Sequence, residues 1–175
     1  MSFAAILLLG LATAPAFAQP AAPDLFRAER AAERLIVQGI NEERARLAPD
    51  APLLVADPSL DDIARARSAA MAQGAPFAHE DGNGRFIAAD MMKARFGPYG
   101  TWGENILEEH GFRVFDPAGF AARAVISWIN SPGHRRNILS ALYRRTSIGV
   151  AVIGNRVYAT EVFIGPPPGR LASAR

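Results

Sequence analysis

The chain has 175 residues, half of them hydrophobic and 21% charged, and it contains no cysteine. That is the composition of one ordinary globular domain, able to bury roughly 70% of the surface its unfolded chain exposes, and it excludes disulfides, thiolate metal sites and cysteine nucleophiles. The net charge is +2 and Lys93 is the sole lysine. Acidic and basic residues alternate closely, as in Arg27-Ala28-Glu29-Arg30 and Glu42-Glu43-Arg44, which describes solvated helix faces and argues against a nucleic-acid partner.

The sequence opens MSFAAILLLGLATAPAFAQP, apolar from Phe3 to Leu11, then small residues that end in Ala16-Phe17-Ala18 ahead of Gln19. This is the A-x-A pattern that signal peptidase cuts, although no Lys or Arg precedes the apolar run. Residues 1–18 are therefore expected to be a signal peptide, leaving a secreted or periplasmic chain; the run is too short for a stable membrane span. Residues 19–27 read as a lead-in. A first helix is predicted from an N-cap at Asp24 to about Leu47, with Ala32, Leu35, Ile36, Ile40 and Leu47 on one stripe, ended by Pro49 and Pro52. Asp57-Pro58 offers a cap and a first-position proline for a second helix, which turns Leu60, Ile63, Ala64 and Met71 inward and stops near Gly74.

Residues 75–103 are Gly-rich and irregular apart from a short helix over 87–95, and structured loops of this length usually carry function. A third helix is capped by Asp116, started by Pro117 and striped by Phe120, Ala124, Val125 and Trp128 up to Asn130. Ser131-Pro132 repeats that start signal and predicts a fourth helix through Ile138 and Leu139. The period then changes: residues 148–153 and 156–164 are rich in β-branched side chains, and Gly154-Asn155 between them fits a two-residue hairpin turn. Residues 166–175 read as a tail. The sum is an α+β domain with helices packed on a small sheet.

Three polar residues stand out. With Ser131 as N-cap, His134 falls at the third helical position, where unpaired N–H groups and the helix dipole favour a neutral imidazole able to accept a hydrogen bond or bind a metal. His79 follows the second helix in F-A-H-E-D-G-N-G, and Glu104 is hemmed by Trp102 and Ile106 in W-G-E-N-I. Each has a plainer alternative. His79 can cap the helix before it, as can His110 in L-E-E-H-G, and Glu104 can accept backbone N–H groups of its own loop. Asp81-Gly82-Asn83-Gly84 reads as a turn, since it lacks calcium-loop spacing. No H-E-x-x-H, G-x-S-x-G or phosphate loop occurs, and spacing alone does not bring the three residues together.

The ordered segments I-N-E-E-R (40–44), L-D-D-I-A (60–64), F-A-H-E-D (77–81), W-G-E-N-I (102–106), W-I-N-S-P-G-H-R-R-N-I-L (128–139), I-G-V-A-V and Y-A-T-E-V-F resemble the CAP superfamily of cysteine-rich secretory, antigen 5 and pathogenesis-related proteins, in its bacterial SCP-like form, over about residues 28–165. The resemblance implies an α-β-α sandwich with a small, largely antiparallel sheet. It also implies a cleft formed by His79, Glu104 and His134, with Asn105, Trp128, Ser131 and Asn137 in support. The family's second glutamate falls at Ser131, so its tetrad becomes a triad. Two imidazoles and a carboxylate suit Zn2+ or another divalent metal, whereas the carboxylate suited to act as general base is missing.

The expectation is therefore a monomeric secreted binding module, leaning away from enzyme, with a small ligand or an envelope or extracellular partner. A metal-dependent hydrolase of the peptidase type and a lipid or sterol carrier are the alternatives. Arg135 and Arg136 are expected to be solvated.

Overall fold

A computed structural model describes residues 22–97 and 100–166. The expected signal peptide and nearly all of the expected tail lie outside the described residues. In chain order the elements are α1 (Ala22–Leu47), β1 (Val55–Ala56), α2 (Asp61–Ala72), α3 (Ala89–Phe96), β2 (Trp102–His110), α4 (Pro117–Asn130), α5 (Pro132–Leu139), β3 (Arg145–Ile153) and β4 (Arg156–Ile164). The sheet order is β1-β3-β4-β2, with β1 parallel to β3 and the other pairs antiparallel.

Alternation along β3 and β4 creates two cores. Ile148, Val150, Val157, Ala159 and Phe163 face α1 and α4, meeting Ile36, Ile40, Phe120 and Trp128. Val162 and Ile164 face the other way, onto Leu60, Ile63 and Ala64 at the start of α2 and Met92 of α3. The chain thus adopts the expected α+β sandwich. The α2 side packs so closely that a Cβ on Gly149 would lie 2.2 Å from the Ala64 backbone, which is why that strand position has no side chain.

Side chains close the outer edge of β2 and the part of β3 that the two-residue β1 does not reach. Along β2, the carbonyls of Trp102, Glu104 and Ile106 accept from Tyr143 Oη (3.2 Å), Asn137 Nδ2 (3.3 Å) and Trp128 Nε1 (3.1 Å). Along β3, the N–H groups of Val150 and Val152 donate to Glu33 (3.0 Å) and Glu29 (2.9 Å), one helical turn apart on α1. Such groups would otherwise be open to pairing with another strand.

Several local expectations need correction. The first helix begins at Ala22, ahead of Asp24, and so absorbs much of the expected lead-in; Leu35 is 38% exposed because the buried stripe runs through Ala32, Ile36 and Ile40. Asp57 caps a short 3-10 turn, Pro58–Leu60, that feeds α2. The short helix lies at Ala89–Phe96. Residues 102–110 form a strand rather than loop, so His110 ends β2 and caps no helix. The hairpin closes at Ile153 and Arg156 with Gly154 at φ +59°, as the turn requires, but β3 starts at Arg145.

Candidate functional site

Glu104 projects from β2 toward α2, where Arg67 meets it. Arg67 Nε donates to Oε2 at 2.9 Å and Nη2 to Oε1 at 3.3 Å. Both side chains are only 2% exposed. Arg67 Nη2 also donates to the Ala78 carbonyl at 2.8 Å, which fixes the segment carrying His79. His79 Nδ1 then lies 3.0 Å from Glu104 Oε1. Burial works against the charged form of Glu104, but the hydrogen bonds from His79 and Arg67 outweigh it and hold its pKa below the ordinary glutamate value. Glu104 is ionised, and its oxygens are already engaged.

His134 enters from the first turn of α5. Its ring centroid lies 6.2 Å from that of His79 and 6.5 Å from that of Trp128. Burial, and then the neighbouring His79, lower its pKa, so the neutral imidazole dominates at neutral pH. Gly133, Asn137, Arg136, Phe86, Trp102 and Tyr143 complete a cleft of about 520 Å³ around the two histidines. Gly103 forms part of it too. A Cβ there would lie 2.5 Å from Tyr143 Oη, so a side chain at Gly103 would displace the tyrosine.

Behind His134, on the other face of the sheet from Glu104, runs an amide chain. Asn137 Nδ2 donates to Asn105 Oδ1 (2.9 Å) and to the Glu104 carbonyl. Asn105 Nδ2 serves the His134 carbonyl (3.4 Å) and Glu161 Oε2 (3.3 Å). Asn137 therefore ties α5 to β2. Ser131 makes no side-chain capping bond; only its carbonyl engages the helix, accepting from Arg135 N at 2.8 Å.

The sequence-derived trio is brought to one cleft, but in an order of its own: Glu104 binds His79, and His134 stands beside His79. Among the described residues no three His, Cys, Asp or Glu side chains gather into a group that could hold a metal ion. The reason is local. Arg67 occupies the carboxylate that a third ligand would supply. What does suit a divalent metal is the imidazole pair, because Glu104 at Nδ1 leaves His79 Nε2 open, the carboxylate–histidine arrangement that orients metal-binding rings. Asp81 accepts from the N–H groups of Asn83 and Arg85 and makes a turn.

Three buried charged residues were not evident as site residues. Arg67 anchors Glu104. Glu161 ends the amide chain, and its pKa is pushed up to about 8, foremost by burial, which Thr146, Asn105 and Arg44 offset only in part. Arg44 donates to the carbonyls of Ile138, Ser140 and Pro52, tying α5 to the segment after α1. Each was signalled by a charge on an otherwise apolar stripe: Arg67 four residues from both Ile63 and Met71, Arg44 four from Ile40, Glu161 alternating with Ala159 and Phe163.

Residues 37–165 match the family model for the cysteine-rich secretory protein family. The chain belongs to this CAP family, whose fold it builds without a single cysteine. It is 34% identical over 133 residues to YkwD of Bacillus subtilis strain 168, an uncharacterized protein, a match covering 76% of this chain and 47% of YkwD. The chain thus spans about half the length of that curated relative. It is also similar to an extracellular SCP-domain protein from Bacillus anthracis strain Ames, at 27% identity and TM-score 0.63, over 85% of this chain and 45% of the other. NaASP2, solved with Zn2+, shares the fold at 15% identity and TM-score 0.55, over 78% of this chain and 84% of its own. Among the described residues no helix is long and apolar enough to cross a membrane.

Proposed function

We propose that this protein is an exported CAP-domain binding module, monomeric and non-catalytic, whose cleft takes a divalent metal such as Zn2+ between His79 and His134. The observation that carries this reading is the 3.0 Å contact of His79 Nδ1 with a carboxylate that is itself locked by Arg67. Glu104 is then a positioning group for His79 rather than a third ligand. It is also ill suited to act as a base in hydrolysis, since a carboxylate held in its ionised form by a buried guanidinium accepts a proton poorly. Ser131 offers only a hydroxyl where the family resemblance implies a second glutamate. NaASP2, a protein of the same fold solved with Zn2+, lends the metal class support by analogy. Export rests on the A-x-A pattern at Ala16 to Ala18 and on the extracellular relative.

Isothermal titration with Zn2+ tests the proposal on the parent, His79→Ala and His134→Ala. Strong uptake by the parent and its loss in both variants is expected. Equal uptake by all three, or none by the parent, would remove the metal from the account.

A further inference from the structure

We propose that the cleft selects a small anionic ligand with an apolar body, a carboxylate attached to a ring or short chain, and that Arg136 receives its charge. The proposal rests on the reading of the cleft as a binding site and adds the class of ligand to it.

Charge comes first. Among the described residues Glu104 is the only acidic side chain lining the cleft, and the buried Arg67 neutralises it. The Arg136 side chain is exposed, lines the cleft, and makes no ion pair or hydrogen bond among the described residues. The cleft therefore presents one uncompensated guanidinium, a group whose planar fork matches a carboxylate in two parallel hydrogen bonds. Arg135, next to it on the same helix, does not line the cleft.

The wall supplies the apolar half. Phe86 and Trp102 meet edge to face at 5.5 Å between centroids, and Tyr143 adds a ring whose hydroxyl is already spent on the Trp102 carbonyl. Phe86 is 48% exposed, an aromatic surface that a flat or aliphatic ligand body would cover. A cleft of about 520 Å³ falls within the range that takes small molecules. An extended peptide fits less well. To join the sheet beside the cleft it would have to pair with the outer edge of β2, where the carbonyls of Trp102, Glu104 and Ile106 are already taken by side chains.

The test uses a matched pair of probes, 2-naphthylacetate and 2-naphthylacetamide, alike in shape and different in charge. Each is titrated calorimetrically at low salt into the parent, Arg136→Gln, Arg136→Glu and Arg135→Gln, all metal-free. The parent should favour the carboxylate by about tenfold, the scale of one charge-assisted contact. Arg136→Gln should abolish the preference, Arg136→Glu reverse it, and Arg135→Gln retain it. A parent that binds neither probe or both equally, or a preference that survives Arg136→Gln, overturns the proposal. Zn2+ titration of Arg136→Gln separates the two readings: unchanged uptake keeps the metal site standing even if the carboxylate preference fails.

Discussion

Two buried glutamates lie one strand apart and end in opposite states. Glu104 on β2 faces α2, where a guanidinium pairs with both of its oxygens and His79 adds a third contact; its pKa is lowered. Glu161 on β4 faces the other core and is wholly buried, with an amide and a hydroxyl as hydrogen-bond partners and its pKa pushed up to about 8. Thr146 Oγ1 lies 3.2 Å from Glu161 and 2.9 Å from the Val162 carbonyl. Its single proton serves one acceptor at a time, so a protonated Glu161 can donate to it in return. The same residue type thus gives a fixed charge beneath the cleft and a neutral strut behind it, and the difference lies in what the opposite helix contributes.

Removing the guanidinium should break the contrast most severely. Arg67→Met strands an ionised carboxylate and is expected to cost about 3–5 kcal/mol, measured by urea unfolding at pH 7. The double variant Arg67→Met/Glu104→Gln should recover part of that loss, because no charge is left unpaired; a double variant as unstable as the single would show that packing of Arg67, not its charge, matters.

The pH dependence follows with opposite signs. Glu161 keeps its proton when folded up to about pH 8 but loses it near the ordinary value of 4.5 when unfolded. Its contribution therefore erodes stability as pH rises across that window, by on the order of a few kcal/mol. Glu104, with its folded pKa lowered from 4.5, contributes stability above that value and loses it as pH falls through the folded pKa. Glu161→Gln should accordingly lessen the decline between pH 5 and 8, the remainder coming from Glu33, whose pKa burial also pushes up to about 8, and should exceed the parent at pH 8 in thermal denaturation. A variant that tracks the parent at every pH would mean that Glu161 is ionised.

A smaller effect sharpens the functional side. Glu104→Gln should weaken Zn2+ binding by about 10–100-fold, as loss of an orienting partner does, while Glu161→Gln leaves it within about threefold. Equal losses in the two would erase the distinction between orienting group and strut. Smallest of all, Ser131→Ala should change stability by less than about 0.5 kcal/mol, below the usual loss for an N-cap, because its hydroxyl makes no capping bond.

Much of the fold was readable from local chemistry. Asp116-Pro117 and the stripe through Trp128 fixed α4 to the residue, and Gly154-Asn155 set the hairpin. What escaped was β2, where W-G-E-N-I-L-E-E-H lacks the β-branched alternation that marks β3 and β4. Its strand character comes from pairing with β4 along its whole length, a tertiary cause invisible to any local window. The site shows the same division. His79, Glu104 and His134 could be singled out by neighbours and resemblance, but the role of Glu104 depends on Arg67, 37 residues away in sequence. An arginine on an apolar stripe was a visible sign that a buried acid awaited it; which acid, only the packing of α2 on the sheet decides.

Nitrogen-detected NMR of the histidine rings, with and without Zn2+, tests the central arrangement most directly. His79 should carry its proton on Nδ1, facing Glu104, and Zn2+ should shift Nε2 of His79 together with a ring nitrogen of His134. A His79 protonated on Nε2 instead, with neither ring responding to the metal, would contradict the account.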